Sequence, residues 1–133
     1  MRTRILGASR ELDASLIDAS SETIRDQLRE YEDGKREAFD LEIEYPDDFT
    51  GAVMRAMARI PFGEIRTYGD LAAGLETAPI AVGQACGRNP IPVVVPCHRV
   101  VGHDSLGGYG GGLKLKRRLL EHEGITVPEA KRR

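Results

Sequence analysis

The 133-residue chain has only two cysteines, Cys86 and Cys97. Two thiols cannot build the multi-bridge framework of a small secreted domain, so a reducing compartment is expected. No stretch approaches the roughly 20 consecutive apolar residues that a membrane-spanning helix needs. The opening MRTRILGASRE also lacks the apolar core of a signal peptide. Internal repeats and long low-complexity linkers are missing too. These absences point away from secretion and membranes and toward a cytoplasmic protein of one modest domain, with at most a small appendage.

What is present fits a folded chain: 41% hydrophobic and 30% charged residues. The net charge of −2 hides an asymmetry, with 7 Lys/Arg against 14 Asp/Glu in residues 1–50 and 12 against 7 afterwards. A polyanion would be met by residues after about position 50. Two solvated faces of opposite sign account for the same numbers.

Ile24, Leu28 and Tyr31 fall on one face of a helix that Ser20 or Ser21 caps and Gly34 stops. Thr3–Leu6 reads as a weak strand. Phe39, Leu41, Ile43 and Tyr45 alternate with acids, which predicts a half-buried strand ended by Pro46. A helix from Phe49 to Ile60 follows, its start favoured by Asp47 and Asp48. Thr67-Tyr68-Gly69-Asp70 is a capping-box start for a short helix, and Pro79 suits the first turn of another that Asn89-Pro90 ends. Two short helices across a tight turn make a helix-turn-helix candidate, although helical hairpins also occur in domains that never touch DNA. The proline-bracketed run Ile91–Pro96 predicts a very short or edge strand. Six glycines crowd residues 102–112 around Tyr109, the density of a loop that approaches a ligand closely. A last helix, Leu113–Glu123, buries Leu115, Leu119 and Leu120 and displays Lys114, Lys116, Arg117 and Arg118. The tail from Glu129 to Arg133 reads as frayed.

Chemistry concentrates at Pro96-Cys97-His98-Arg99. A nucleophilic cysteine reacts as its thiolate, which nearby cations favour. In an extended segment adjacent side chains diverge, so His98 would reach Cys97 through a water. A base needs an orienting acid, and Glu123, placed near the buried stripe of the last helix, is the candidate. An inert buried thiol and a structural histidine fit these residues as well. Cys86, Cys97, His98 and His103 match no familiar zinc spacing, so no metal site is expected.

The run Ile91-Pro92-Val93-Val94-Val95-Pro96-Cys97-His98-Arg99-Val100-Val101-Gly102 strongly resembles the active-site signature of the O6-alkylguanine-DNA alkyltransferases. Ordered matches extend from about Phe49 to Gly124. They include Ile60-Pro61-Phe62-Gly63-Glu64, Thr67–Ala72, Ala81-Val82-Gly83, Arg88-Asn89-Pro90, Gly108–Lys114 and Leu119–Gly124.

The resemblance implies a DNA repair protein that flips O6-alkylguanine out of the duplex and moves the alkyl group irreversibly to its own cysteine. It implies an α+β, mostly helical fold. Residues 47–133 would form a winged-helix-like, helix-turn-helix C-terminal domain, and residues 1–46 a short N-terminal helix-plus-strand appendage. Cys97 becomes the acceptor, with His98 and Glu123 as the relay that makes it a thiolate. Asn89 braces the active-site turn, while Tyr68 works on the phosphate 3′ to the target and supports protonation of the leaving group. Tyr109 and Gly110 belong to a wall of the guanine pocket, and Val100, Ile80, Ala81, Gly83 and Arg88 complete the substrate- and DNA-binding set. The expected partner is duplex DNA carrying O6-alkylguanine. Neither cofactor, membrane nor protein partner is required, and the chain would be a monomer in the cytoplasm or on the nucleoid.

Three positions depart from the family pattern. Ile80 stands where the family carries an arginine that fills the gap left by the flipped base. Gly110 replaces a common serine. Residues 1–46 are fewer than the usual N-terminal domain, and any zinc ligands there have no counterpart. Two other classes stay open: a non-catalytic module that flags alkylated DNA, and a cysteine hydrolase, for which no oxyanion-hole motif is recognisable.

Overall fold

Leu6 and Gly7 both take positive φ, 48° and 86°, the geometry of a tight turn that matches the twist of a two-stranded ribbon. They close strands β1 (Arg2–Ile5) and β2 (Ala8–Glu11) into an antiparallel hairpin, with Arg2 opposite Glu11 and Ile5 opposite Ala8. The computed structural model describes residues 1–109 and 112–127. The predicted strand at Thr3–Leu6 is therefore half of a hairpin whose second strand, ASRE, carries no strand-like composition of its own.

Helix α1 (Ser21–Glu32) begins where the Ser20 side chain accepts the Thr23 N–H, and it buries Ile24, Leu28 and Tyr31 as the spacing predicts. The expected Phe39–Tyr45 strand is corrected: only an isolated bridge joins Ile43 to Ile17. Its alternation survives as burial, with Phe39, Leu41, Ile43 and Tyr45 half-buried between exposed acids. A ladder needs a partner, and the facing segment offers only the Leu16 carbonyl and the Asp18 N–H.

Helix α2 (Phe49–Ala58) is capped by Asp48, whose carboxylate accepts the Gly51 N–H. Gly51 is required there, because a Cβ would lie 1.7 Å from the Pro46 carbonyl oxygen. Strand β3 (Arg66–Thr67) leads into α3 (Tyr68–Gly74), where Thr67 and Asp70 form the reciprocal capping box. Helix α4 (Pro79–Gly87) follows across a short turn, with Pro79 in its first turn, and packs against α3. Strand β4 (Val100–Val101) pairs in parallel with β3, Arg66 facing Val100. Helix α5 (Leu113–His122) closes the described chain, and Gly124 at φ 86° follows its C-cap.

Two further expectations are corrected. Ile91–Pro96 forms a tight turn rather than a strand, with the Val95 N–H bonded to the Ile91 carbonyl and Val93 at φ 73°. Cys97–Arg99 is a 3-10 turn rather than an extended segment, so successive side chains leave about 120° apart instead of on opposite sides.

One hydrophobic core joins both ends of the chain. Ile5, Leu12, Ile17, Ile24, Leu28 and Tyr31 cluster with Val53, Met57, Val82, Ile91, Val95, Leu115 and Leu119. A smaller cluster holds Val101, Leu106, Leu120 and Val127. No helix among the described residues is long and apolar enough to cross a membrane.

Candidate active site

The turn carrying Cys97 is built by Asn89. Its side-chain N–H donates to the Val95 carbonyl at 2.9 Å and its oxygen accepts the Ile91 N–H at 3.1 Å, closing both ends of the apolar run. Such bracing holds β-branched Val93 in a left-handed conformation that it would otherwise avoid. Cys97 then sits at the wall of a cavity of about 550 Å³, shared with Tyr68, Ile80, Gly83, Cys86 and Tyr109. Burial pushes the Cys97 thiol up, and the Asn89 amide, Arg10 and Lys116 pull it the other way. Cys86 shares this cavity, but burial lifts its thiol to about 12 and its S–H points to Met57 Sδ at 3.5 Å. That is an inert thiol.

Behind Cys97 lies a fully desolvated polar cluster. His98 Nε2 meets Glu123 Oε2 at 2.7 Å, with both side chains at 0% exposure. Glu123 Oε2 also accepts the Tyr31 hydroxyl at 2.7 Å and Arg99 Nη2 at 3.0 Å. Oε1 accepts Arg99 Nε at 2.8 Å and the Gly63 N–H at 3.1 Å. Burial acts to raise the Glu123 carboxyl, but bonds from His98, Arg99 and Tyr31 overcome it and hold the group at about 2. Glu123 is thus ionised. Burial lowers the His98 pKa against the pull of Glu123, leaving a neutral ring. An ionised carboxylate at Nε2 requires the proton there, so Nδ1 carries a bare lone pair, and it has no partner among the described residues. His98 Nδ1 can therefore accept a hydrogen bond or a proton.

Lys116 corrects an expectation: it is wholly buried, not displayed. Its ammonium donates to the Val100 carbonyl at 2.6 Å, the Gly108 carbonyl at 3.1 Å and the Leu106 carbonyl. Burial lowers its pKa to about 8. The ammonium ties the glycine loop to α5 and lies 3.5 Å from the Tyr68 hydroxyl. Tyr68 is half-buried at the start of α3, its phenol raised chiefly by burial. Gly107 lies against it: a Cβ there would sit 2.4 Å from the Tyr68 oxygen.

The remaining predicted positions separate. Ile80, in the first turn of α4, is 72% exposed at the cavity rim, and Gly83 faces the Tyr68 ring from the same helix. Ala81 is half-buried beside them, and Val100 is buried in β4. Arg88 caps α4 in solvent, with Nε 3.2 Å from Thr50 Oγ1. Gly110 and the tail from Glu129 lie outside the described residues. His103 is exposed far from any ligand set, and no group of metal-binding side chains occurs among the described residues.

Sequence reasoning missed Tyr31, Arg99 and Lys116 as members of the site. Lys116 had a signal: it lies four and seven positions before Leu120 and Glu123, on the buried stripe of α5.

Fold and site together define a helix-turn-helix unit with an acid-backed cysteine–histidine pair at its pocket. The model of the 6-O-methylguanine DNA methyltransferase DNA-binding domain matches residues 48–125. A methylated-DNA–protein-cysteine methyltransferase of Archaeoglobus fulgidus is 43% identical over 122 residues, covering 84% of this chain and 80% of its own. One from Saccharolobus islandicus is 48% identical over 85 residues, and there the match spans only 55% of the relative's length. The crystal structure of Mycobacterium tuberculosis OGT in complex with DNA superposes with a TM-score of 0.75 at 40% identity, over 91% of this chain and 78% of that one. The chain belongs to the O6-methylguanine-DNA methyltransferase family.

Proposed function

We propose that this chain is a DNA repair protein that takes O6-alkylguanine out of duplex DNA and transfers the alkyl group to Cys97, once per molecule. The observation that carries the reading is Cys97 on the wall of a cavity of about 550 Å³ lined by α4, large enough to admit a base, backed by the His98–Glu123 pair. The alkyl carbon of a stacked base cannot meet a thiol inside the protein, so the nucleotide must leave the stack. His98 Nδ1 takes the thiol proton through a water, and Glu123 stabilises the imidazolium that forms. The sulfur attacks the alkyl carbon, the S–C bond forms, and the C–O6 bond breaks with its electrons on the guanine. Tyr68 supports protonation of that leaving base and works on the phosphate 3′ to it, Tyr109 walls the pocket, and Asn89 holds the cysteine turn. No side chain lining the pocket among the described residues would hydrolyse the thioether.

In this reading residues 47–133 hold the DNA face and the reacting cysteine, with residues 1–46 as a short N-terminal segment. The protein acts as a monomer in the cytoplasm or on the nucleoid, without cofactor or protein partner. Ile80, Ala81, Gly83 and Arg88 lie along the DNA side, and Val100 supports the pocket.

Intact-mass analysis after incubation with O6-methylguanine DNA tests the function. One methyl group gained, located on Cys97 and lost in Cys97→Ser, is the expected result. Lesion binding without mass gain would make the chain a sensor, and repeated turnover of a hydrolysable substrate would make it a hydrolase. Binding should also weaken steeply with salt as Arg88 and Lys114 displace counterions from phosphates.

A further inference from the structure

Two buried polar atoms near Cys97, one of Arg10 and one of Tyr109, have no hydrogen-bond partner among the described residues. Strand β2 exposes Ser9 and Glu11 and turns Ala8 and Arg10 inward, ahead of the fully buried Leu12. The Arg10 guanidinium carbon lies 4.9 Å from the centre of the Tyr109 ring. Its Nη1 is buried without a hydrogen-bond partner among the described residues. The Tyr109 hydroxyl is likewise buried without a hydrogen-bond partner among the described residues, yet Tyr109 shares the cavity wall with Cys97, and charge on that sulfur raises the phenol.

A buried donor left unpaired costs stability, and stacking on the ring offsets only part of it for the guanidinium. Both groups are donors: Tyr109 shares the cavity wall with Cys97, whose sulfur becomes negative before the attack, and Arg10 is stacked on the Tyr109 ring. A neutral thiol cannot use them. A thiolate can.

We propose that Arg10 and Tyr109 form a cradle for the Cys97 thiolate: the Tyr109 hydroxyl donates to the sulfur, and the guanidinium stacked on its ring supplies a fixed positive charge. This makes the N-terminal hairpin a working part of the site, and it rests on Cys97 as the reacting group. Ionisation breaks the S–H bond, sends the proton to His98 Nδ1 and leaves the electron pair on sulfur. Arg10 acts through the ring and its field, so it is a positioning residue.

Other groups face the same sulfur: Lys116 from α5, Cys86 from α4, Tyr68 from α3, and Asn89 at the turn. Lys116 already shares its charge among three carbonyls. Arg10 has no such ties among the described residues.

The test is the pH dependence of iodoacetamide labelling, read by mass spectrometry on the Cys97 peptide without DNA, in variants whose fold is checked by circular dichroism. Arg10→Met should raise the labelling midpoint by roughly 0.5–1 pH unit, and Tyr109→Phe by a similar amount, since each removes one stabiliser of the anion. Arg10→Lys keeps the charge and should recover most of the midpoint, which a purely structural role would not produce. The double variant should shift less than the two single shifts combined. An unmoved midpoint in a folded Arg10→Met or Tyr109→Phe protein overturns the proposal, as does an equal shift in Arg10→Lys. Should Arg10→Met fail to fold, Tyr109→Phe and Arg10→Lys decide it alone. Because labelling needs no DNA, a failure to take up methyl groups would defeat the proposed function without altering this result.

Discussion

The Tyr31 hydroxyl and the Glu123 carboxylate, 92 positions apart in the chain, meet in a buried 2.7 Å hydrogen bond. Tyr31 belongs to α1 and its ring packs in the core at 0% exposure, tilted against Phe39 at 5.7 Å and edge-on to Phe62 at 6.2 Å. One side chain thus serves both packing and the carboxylate that orients His98. Tyr31→Phe should keep the ring contacts and remove one donor. Stability should fall by about 1–2 kcal/mol in urea denaturation, the worth of a hydrogen bond to a charged group. Methyl transfer in single-turnover assays should slow several-fold, and an unchanged rate would separate Tyr31 from the relay.

Acid should unfold the protein in two stages. His98 is depressed below its ordinary value near 6.5, so the unfolded chain binds its proton first and stability declines as pH falls past that value. Glu123 is depressed from 4.5 to about 2, so its contribution is complete above pH 4.5 and is lost as pH falls toward 2. Glu123→Gln should lower stability at neutral pH yet flatten the decline between 4.5 and 2 by one proton. Denaturation curves taken at a series of pH values measure both slopes, and equal slopes in the two proteins would contradict the assignment.

Gly107 has φ 76° and no room for a methyl group beside Tyr68. Gly107→Ala should push the Tyr68 ring or the loop by more than an ångström. Transfer should drop about a hundredfold, the scale of a misplaced reacting geometry, with a modest fall in melting temperature. Wild-type transfer by this variant would mean that the loop yields freely.

Ile80 is the most exposed large hydrophobic side chain among the described residues. An apolar side chain can wedge into a base step but cannot pair with the orphaned cytosine. Ile80→Arg should tighten binding to a lesion duplex about tenfold, or ~1.4 kcal/mol, with a smaller gain on single-stranded lesion DNA. Equal gains on both would show that the added charge only attracts phosphate.

The helices were legible because their signals are local. Ser20, Asp48, the Thr67–Asp70 pair and Pro79 each sit where a helix starts, and each is within a turn of the group it serves. Strands were not, because β2 is a strand only through its partner β1, and Phe39–Tyr45 alternates without a partner able to complete a ladder. Cys97, His98 and Glu123 were readable from their motif and from the buried stripe of α5. Lys116 showed only its place on that stripe and Arg10 no signal at all, since a lone cation in a sequence reads as solvated until three carbonyls or an aromatic face are seen to receive it. Arg99 was passed over in the same way, although it fills both carboxylate oxygens of Glu123.

The carboxylate that completes the relay follows His98 by 25 positions in the chain. A ribosome therefore releases the acceptor thiol before the acid that orients its base, and Tyr31, made much earlier, waits for the same carboxylate. Until α5 emerges and docks, Cys97 is an ordinary thiol on an unfinished chain. In the proposed reading, where Cys97 is the acceptor and reacts only once, that order of synthesis arms it only when the pocket that selects its substrate is assembled.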